Sequence, residues 1–179
     1  MNRHKVLLIG LMAVGKSTVG NLLAARLNAR YLDNDELVRL ATGTAPEELR
    51  QREGVAGLRK AESQALTAAL ELPSPAVAGV AAGVVLDPVD RDRLAVTDAT
   101  VVWLRARPET LARRVPAGGD RPWIRLAPLE VFQRMAEERY PSYEALSDLT
   151  VDVDERTPEQ IVGLIVDYLG QKALIDPGK

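Results

Sequence analysis

Along the chain, solid runs of apolar residues alternate with stretches in which apolar positions return every three or four residues. The runs at 6–9, 76–80 and 100–104 predict strands buried on both faces, and shorter strands are predicted at 30–33 and 149–153. Helical spacing falls between them, at 19–27, 36–41, 47–52, 55–72, 108–115 and 128–138, with a further turn or two through 139–146. A short helix opens at Asp87-Pro88 and runs to Leu94, and a last one is capped by Thr157-Pro158-Glu159 and runs to Leu169. Thr44-Ala45-Pro46-Glu47 reads as a capping box, Gly54 breaks the helix it starts, and Pro73-Ser74-Pro75 ends the next. The last ten residues read as a frayed tail. Strands interleaved with helices predict one domain, 1–179, of the three-layer α/β/α class, with five parallel strands and helices on both faces.

One junction in this pattern carries chemistry. The first strand ends in Gly10 and passes through Leu11, Met12, Ala13 and Val14 to Gly15-Lys16-Ser17-Thr18 before the first helix, which is the G-x-x-x-x-G-K-S/T spacing of a phosphate-binding loop in its strand-loop-helix context. Backbone N–H groups of Met12, Ala13, Val14, Gly15 and Lys16 can curl around phosphate oxygens, with the helix N-terminus adding positive potential. Lys16 is placed to reach the β- and γ-phosphates, Ser17 to ligate Mg²⁺ and Thr18 to touch the α-phosphate of a nucleotide such as ATP. A second junction, Asp33-Asn34-Asp35, puts two carboxylates at the C-terminal end of a strand, where open α/β sheets bind ligands. Residues 116–122 contain Ala-Gly-Gly-Asp-Arg-Pro, the composition of a closing lid that carries Arg121 over an anion.

Composition narrows the rest. With no cysteine, disulfides, thiolate catalysis and zinc–thiolate sites are excluded; the single histidine, His4, is expected to be solvated ahead of the first strand, so acid–base work falls to carboxylates. A net charge of −2 provides no global field for nucleic acid, and no apolar run is long enough to cross a membrane. No cleavable signal pattern occupies residues 1–10, so a cytoplasmic, monomeric protein with a small-molecule partner is expected. Arginine outnumbers lysine 18 to 5, which suits planar recognition of carboxylate and phosphate.

Taken in order, the 10–18 loop, Asp33 and Asp35, Leu58-Arg59, Asp120-Arg121-Pro122 and the 139–144 stretch resemble the shikimate kinase family over nearly the whole chain. The resemblance implies a P-loop fold of the nucleoside-monophosphate-kinase type. It implies transfer of the γ-phosphoryl group of MgATP to the 3-hydroxyl of shikimate, in aromatic amino-acid biosynthesis. It assigns Asp35 to the acceptor hydroxyl, Asp33 to Mg²⁺ through water, Arg59 and Arg139 to the acceptor carboxylate, and Glu62 to support of the site. It also assigns the backbone N–H of Ala82 to the acceptor, Arg121 to the γ-phosphate, and Arg114 and Arg156 to the adenine. An acceptor-binding segment at about 35–62 and a lid at about 114–126 follow from the same resemblance. The chain departs from the family where three glycines become Ala81-Ala82-Gly83, where aromatic positions become Arg50 and Leu58, and where a leucine becomes Trp123. The departures leave two further readings open: a kinase for another small hydroxy acid or polyol, and a nucleotide-binding protein without catalysis. The latter would call for a degenerate loop or the loss of Asp35, and neither is found.

Overall fold

In the computed structural model, residues 4–115 and 127–175 are described. The most apolar run becomes the middle of a sheet: β1 (Lys5–Ile9) leaves Val6, Leu7 and Leu8 at 0% exposure because a strand pairs on each side and helices cover both faces. Its neighbours are β3 (Ala76–Gly79) and β4 (Thr100–Arg105); β2 (Arg30–Leu32) and β5 (Leu149–Asp152) form the edges, giving the order β2-β3-β1-β4-β5. Every pairing is parallel, with Leu7 opposite Ala78 on one side and Val101 on the other. The helices are α1 (Lys16–Leu27), α2 (Asn34–Thr42), α3 (Pro46–Leu70), α4 (Pro88–Ala95), α5 (Pro108–Arg114), α6 (Pro128–Leu146) and α7 (Pro158–Ile175), with a 3₁₀ turn at Val84–Leu86. This is the fold class the sequence implies, and no helix among the described residues is long and apolar enough to cross a membrane.

Several boundaries differ from expectation. Helix α1 starts at Lys16, three residues early, because the left-handed Gly15 (φ 104°) aims the chain straight into it. Asp33 does not extend β2; it caps α2, its Oδ1 accepting the Glu36 N–H at 2.8 Å, so Asp35 lies in the first turn of a helix. Thr44 makes no capping box: Ala45 occupies the cap position, and Pro46 needs no partner for a missing N–H. Gly54 does break α3, with φ 69° and ψ −164°, and the two arms meet there at a kink. Helix α6 runs unbroken through Pro141, where 128–138 and a separate turn were expected. Proline removes one backbone bond, and Tyr140 and Tyr143 on either side of it pack on Trp103 and hold the helix in place. At the end of the chain, α7 continues to Ile175 in place of fraying after Leu169. His4, expected to be solvated, is half-buried: its carbonyl accepts from the Ala76 N–H, and burial together with Lys172 pulls its pKa below the usual value.

The strand order decides where chemistry can occur. With β3 between β1 and β2, the loop after β1, the 80–83 segment after β3 and the Asp33/Asp35 turn after β2 emerge side by side at the C-terminal edge of the sheet. Beyond β1 the sheet continues to β4, so the phosphate loop sits where successive connections turn opposite ways, the usual ligand position in such sheets.

Candidate active site

The loop between β1 and α1 has the backbone its glycines predict. Gly10 takes φ 138° and passes so close to β4 that a Cβ would stand 2.6 Å from the Leu104 carbonyl, so no larger residue fits there. Ala13 also adopts a positive φ, 63°, while the buried Val14 anchors the loop to the core. The Lys16 ammonium arches over the loop and donates to the Gly10 and Leu11 carbonyls at 2.8 and 3.1 Å, which holds it above the N–H groups that would cradle phosphate. Ser17 and Thr18 stand exposed on the first turn of α1.

A cleft of about 930 Å³ opens from this loop across the sheet edge. Its walls bring together Lys16, Ser17, Asp33, Asp35, Arg59 and Arg139, with Met12, Ala13, Gly15, Thr18, Glu62 and Ala82 also facing it. These residues come from five separate parts of the chain. Asp35 is exposed to the cleft; a free carboxylate there can accept a proton from a hydroxyl.

The acceptor side rests on the 81–83 segment. Tyr143, with no exposed surface, donates its hydroxyl to the Ala82 carbonyl at 2.7 Å; the buried Arg139 donates to the same oxygen at 3.4 Å and pairs with Glu138 at 3.2 Å. Arg59 pairs with Glu62 at 2.8 Å and lies directly over Gly83, where a Cβ would meet its Nη1 at 1.3 Å. A side chain at the third residue of the segment would therefore displace the end of Arg59, while its two neighbours carry the Cβ atoms that alanine adds. Burial pushes the Tyr143 phenol well above its usual pKa, and it stays a neutral donor.

Not every candidate reaches the cleft wall. Arg114 donates to the carbonyls of Val14 and Val153 at 3.3 and 3.4 Å, and Arg156 to the Asp152 carbonyl at 2.7 Å, so both stand at the outer rim between the phosphate loop and the end of β5. Arg121 and Trp123, with residues 116–126 of the expected lid, lie outside the described residues. Two residues that sequence reasoning gave no role also belong here. Tyr143 lies four residues after Arg139, a helical spacing that puts both on one face. Tyr31 precedes Asp33 by two residues along an extended chain, which puts both on one side; its ring fills a slot left by Gly20 and Gly79 and faces the cleft. Burial raises the Tyr31 phenol to about 12 against the opposing pull of the Ser17 hydroxyl, and the charges of Asp33 and Asp35 act with burial.

Among the described residues no cluster of three or more histidine or acidic side chains could cage a metal. One hydroxyl and one carboxylate beside a phosphate cradle suit Mg²⁺, which keeps several waters and takes other ligands from phosphates. The Tyr31 hydroxyl, buried beside Ser17 and without a hydrogen bond of ordinary geometry, fits such a hydrated ion.

A parallel sheet with this loop at its switch point, and a cleft joining the loop to a carboxylate and two guanidinium groups, defines a P-loop kinase acting on a hydroxyl group. The chain belongs to the shikimate kinase family: the family model for shikimate kinase matches residues 12–170. It is 34% identical over 165 residues to the shikimate kinase of Paramagnetospirillum magneticum, covering 92% of this chain and 83% of that one. It is 35% identical over 172 residues to that of Streptomyces coelicolor, covering 96% and 99%. In fold it is similar to the shikimate kinase from Acinetobacter baumannii in complex with shikimate, with a TM-score of 0.85 at 24% identity over 94% of each chain.

Proposed function

We propose that this chain transfers the γ-phosphoryl group of ATP to the 3-hydroxyl of shikimate, as a single-domain, monomeric enzyme of the cytoplasm. One observation carries the reading: Lys16, Asp35, Arg59 and Arg139 line the same cleft. The loop amides and Lys16 grip the phosphates, with Arg114 and Arg156 beside the adenine at the rim and Arg121 brought over the γ-phosphate by a lid at about 114–126. Mg²⁺, held by Ser17 and through water by Asp33, would neutralise charge on the β- and γ-phosphates. Arg59 and Arg139 hold the acceptor carboxylate, the Ala82 N–H contacts the acceptor, and the 35–62 segment forms the acceptor-binding part of the chain. The hydroxyl oxygen then bonds to the γ-phosphorus as the bond to the bridging oxygen of ADP breaks, and Asp35 takes or orients the hydroxyl proton.

A coupled assay should detect ADP release that requires shikimate. ADP release indifferent to shikimate, or none, would overturn the proposal. A second reading, a kinase for another hydroxy acid, is favoured by Arg50: it lines the acceptor side half-buried and, among the described residues, has no hydrogen-bond or ion-pair partner. A cation so placed suits an acceptor with a second anionic group. Turnover on a hydroxylated diacid exceeding that on shikimate would favour this second reading.

A further inference from the structure

The cleft wall contains a buried polar atom that the phosphoryl transfer described above does not use. The Tyr31 hydroxyl has less than 1 Å² of exposed surface and makes no hydrogen bond of ordinary geometry: it interacts with the Ser17 hydroxyl and feels the carboxylates of Asp33 and Asp35, but its contact with Ser17 falls short of a well-formed bond. Leaving a buried hydroxyl unsatisfied destabilises the fold, and natural proteins keep few such groups without a reason.

Nor is the position loosely held. A Cβ on Gly20 of α1 would stand 2.1 Å from Tyr31 Cε2, and one on Gly79 at the end of β3 would stand 2.5 Å from the hydroxyl itself. Neither glycine has a positive φ, so backbone freedom does not explain them. Both leave room for the ring. Two secondary elements thus lack side chains where the phenol passes between them, and its oxygen is delivered to the wall that carries Ser17 and Asp33.

We propose that Tyr31 is a positioning residue for the metal: its hydroxyl hydrogen-bonds a water in the hydration shell of the Mg²⁺ held between Ser17 and Asp33. The inference rests on the nucleotide half of the proposed function and is independent of which acceptor is used. A phenol both donates and accepts, so it can take one place beside a bound water while Asp33 takes another.

The test uses the full chain and Tyr31→Phe, with ADP as the nucleotide and Mg²⁺ as the probe. Titrating Mg²⁺ into the ADP complex by calorimetry should show about tenfold weaker metal binding in the variant, the scale expected when a hydrogen bond one shell out from a metal is lost. ADP affinity in the presence of a chelator should be unchanged. The thermal midpoint of the nucleotide-free protein should be equal or higher, because the substitution removes an unsatisfied group and keeps the ring. A second variant, Gly79→Ala, pushes the hydroxyl aside and should weaken Mg²⁺ binding in the same direction. Equal Mg²⁺ affinity in Tyr31→Phe and the parent would overturn the proposal, as would an equal loss of ADP affinity in chelator, which would make Tyr31 a packing residue only. Either result leaves the shikimate-dependent ADP release untouched, so the two proposals fail separately.

Discussion

Two aspartates separated by one residue, to which the proposed function gives different work, differ in their backbones. Asp33 is extended and caps α2, which ties Oδ1 to the Glu36 N–H; Asp35, one step inside the helix, accepts only a long contact of 3.4 Å from Asn34 and faces the cleft exposed. The capped group is fixed in place, as a metal-orienting carboxylate has to be, and the other is free to meet a hydroxyl. Asp35→Asn keeps the size of the side chain and removes its capacity to accept a proton. It should lower kcat by about 10²- to 10⁴-fold while the affinity for ATP is retained. Single-turnover phosphorylation with ATP binding followed in parallel would check this, and parental kcat in the variant would remove Asp35 from the chemistry.

At the level of elements, the 81–83 segment works as a seat for the two arginines that the proposed function gives to the acceptor carboxylate. One rests on the Ala82 carbonyl beside Tyr143, and the other lies over Gly83. Gly83 has an ordinary φ of −97°, so Gly83→Ala involves no backbone strain; the three atoms nearest the new Cβ all belong to the far end of the Arg59 side chain. The arginine should move aside with stability changed by less than about 1 kcal/mol, but the clamp should be misplaced, raising the KM for shikimate roughly tenfold with the KM for ATP unchanged. Steady-state kinetics in both substrates, with a denaturation curve, separates these effects. The sequence makes the larger frame legible: the buried runs and the glycine-lysine-serine junction announce the parallel sheet and its phosphate loop, because burial period and loop spacing are local properties. What it conceals is tertiary. That Asp33 would leave β2 to cap a helix, that α6 would pass through Pro141 against Trp103, and that Gly20 and Gly79 exist for the Tyr31 ring all depend on neighbours distant in the chain.

For the whole molecule, α6 is joined to the sheet by an aromatic cluster whose titration should set the alkaline limit of stability. Trp103 of β4 meets Tyr140 at 5.0 Å and Tyr143 at 5.8 Å between ring centroids, and Tyr143 is fully buried. Burial pushes Tyr140 up to about 12, with the charge of Asp154 adding to it, and pushes Tyr143 higher still. Both are acids whose pKa in the folded state lies above the value near 10 of an unfolded tyrosine. Below pH 10 both states keep the protons and the contribution is fully present. Between pH 10 and about 12 the unfolded chain ionises first, so stability falls as pH rises. A buried tyrosine that stays protonated should remove about 1.4 kcal/mol per pH unit in that window. Urea midpoints measured from pH 9 to pH 12 should therefore bend downward near pH 10, and Tyr143→Phe should bend less steeply than the parent, since it lacks one of the withheld protons. Parallel curves for the two proteins, or tyrosinate absorbance from the folded cluster already at pH 10, would show that these rings are open to water and that α6 is not held to β4 in this way.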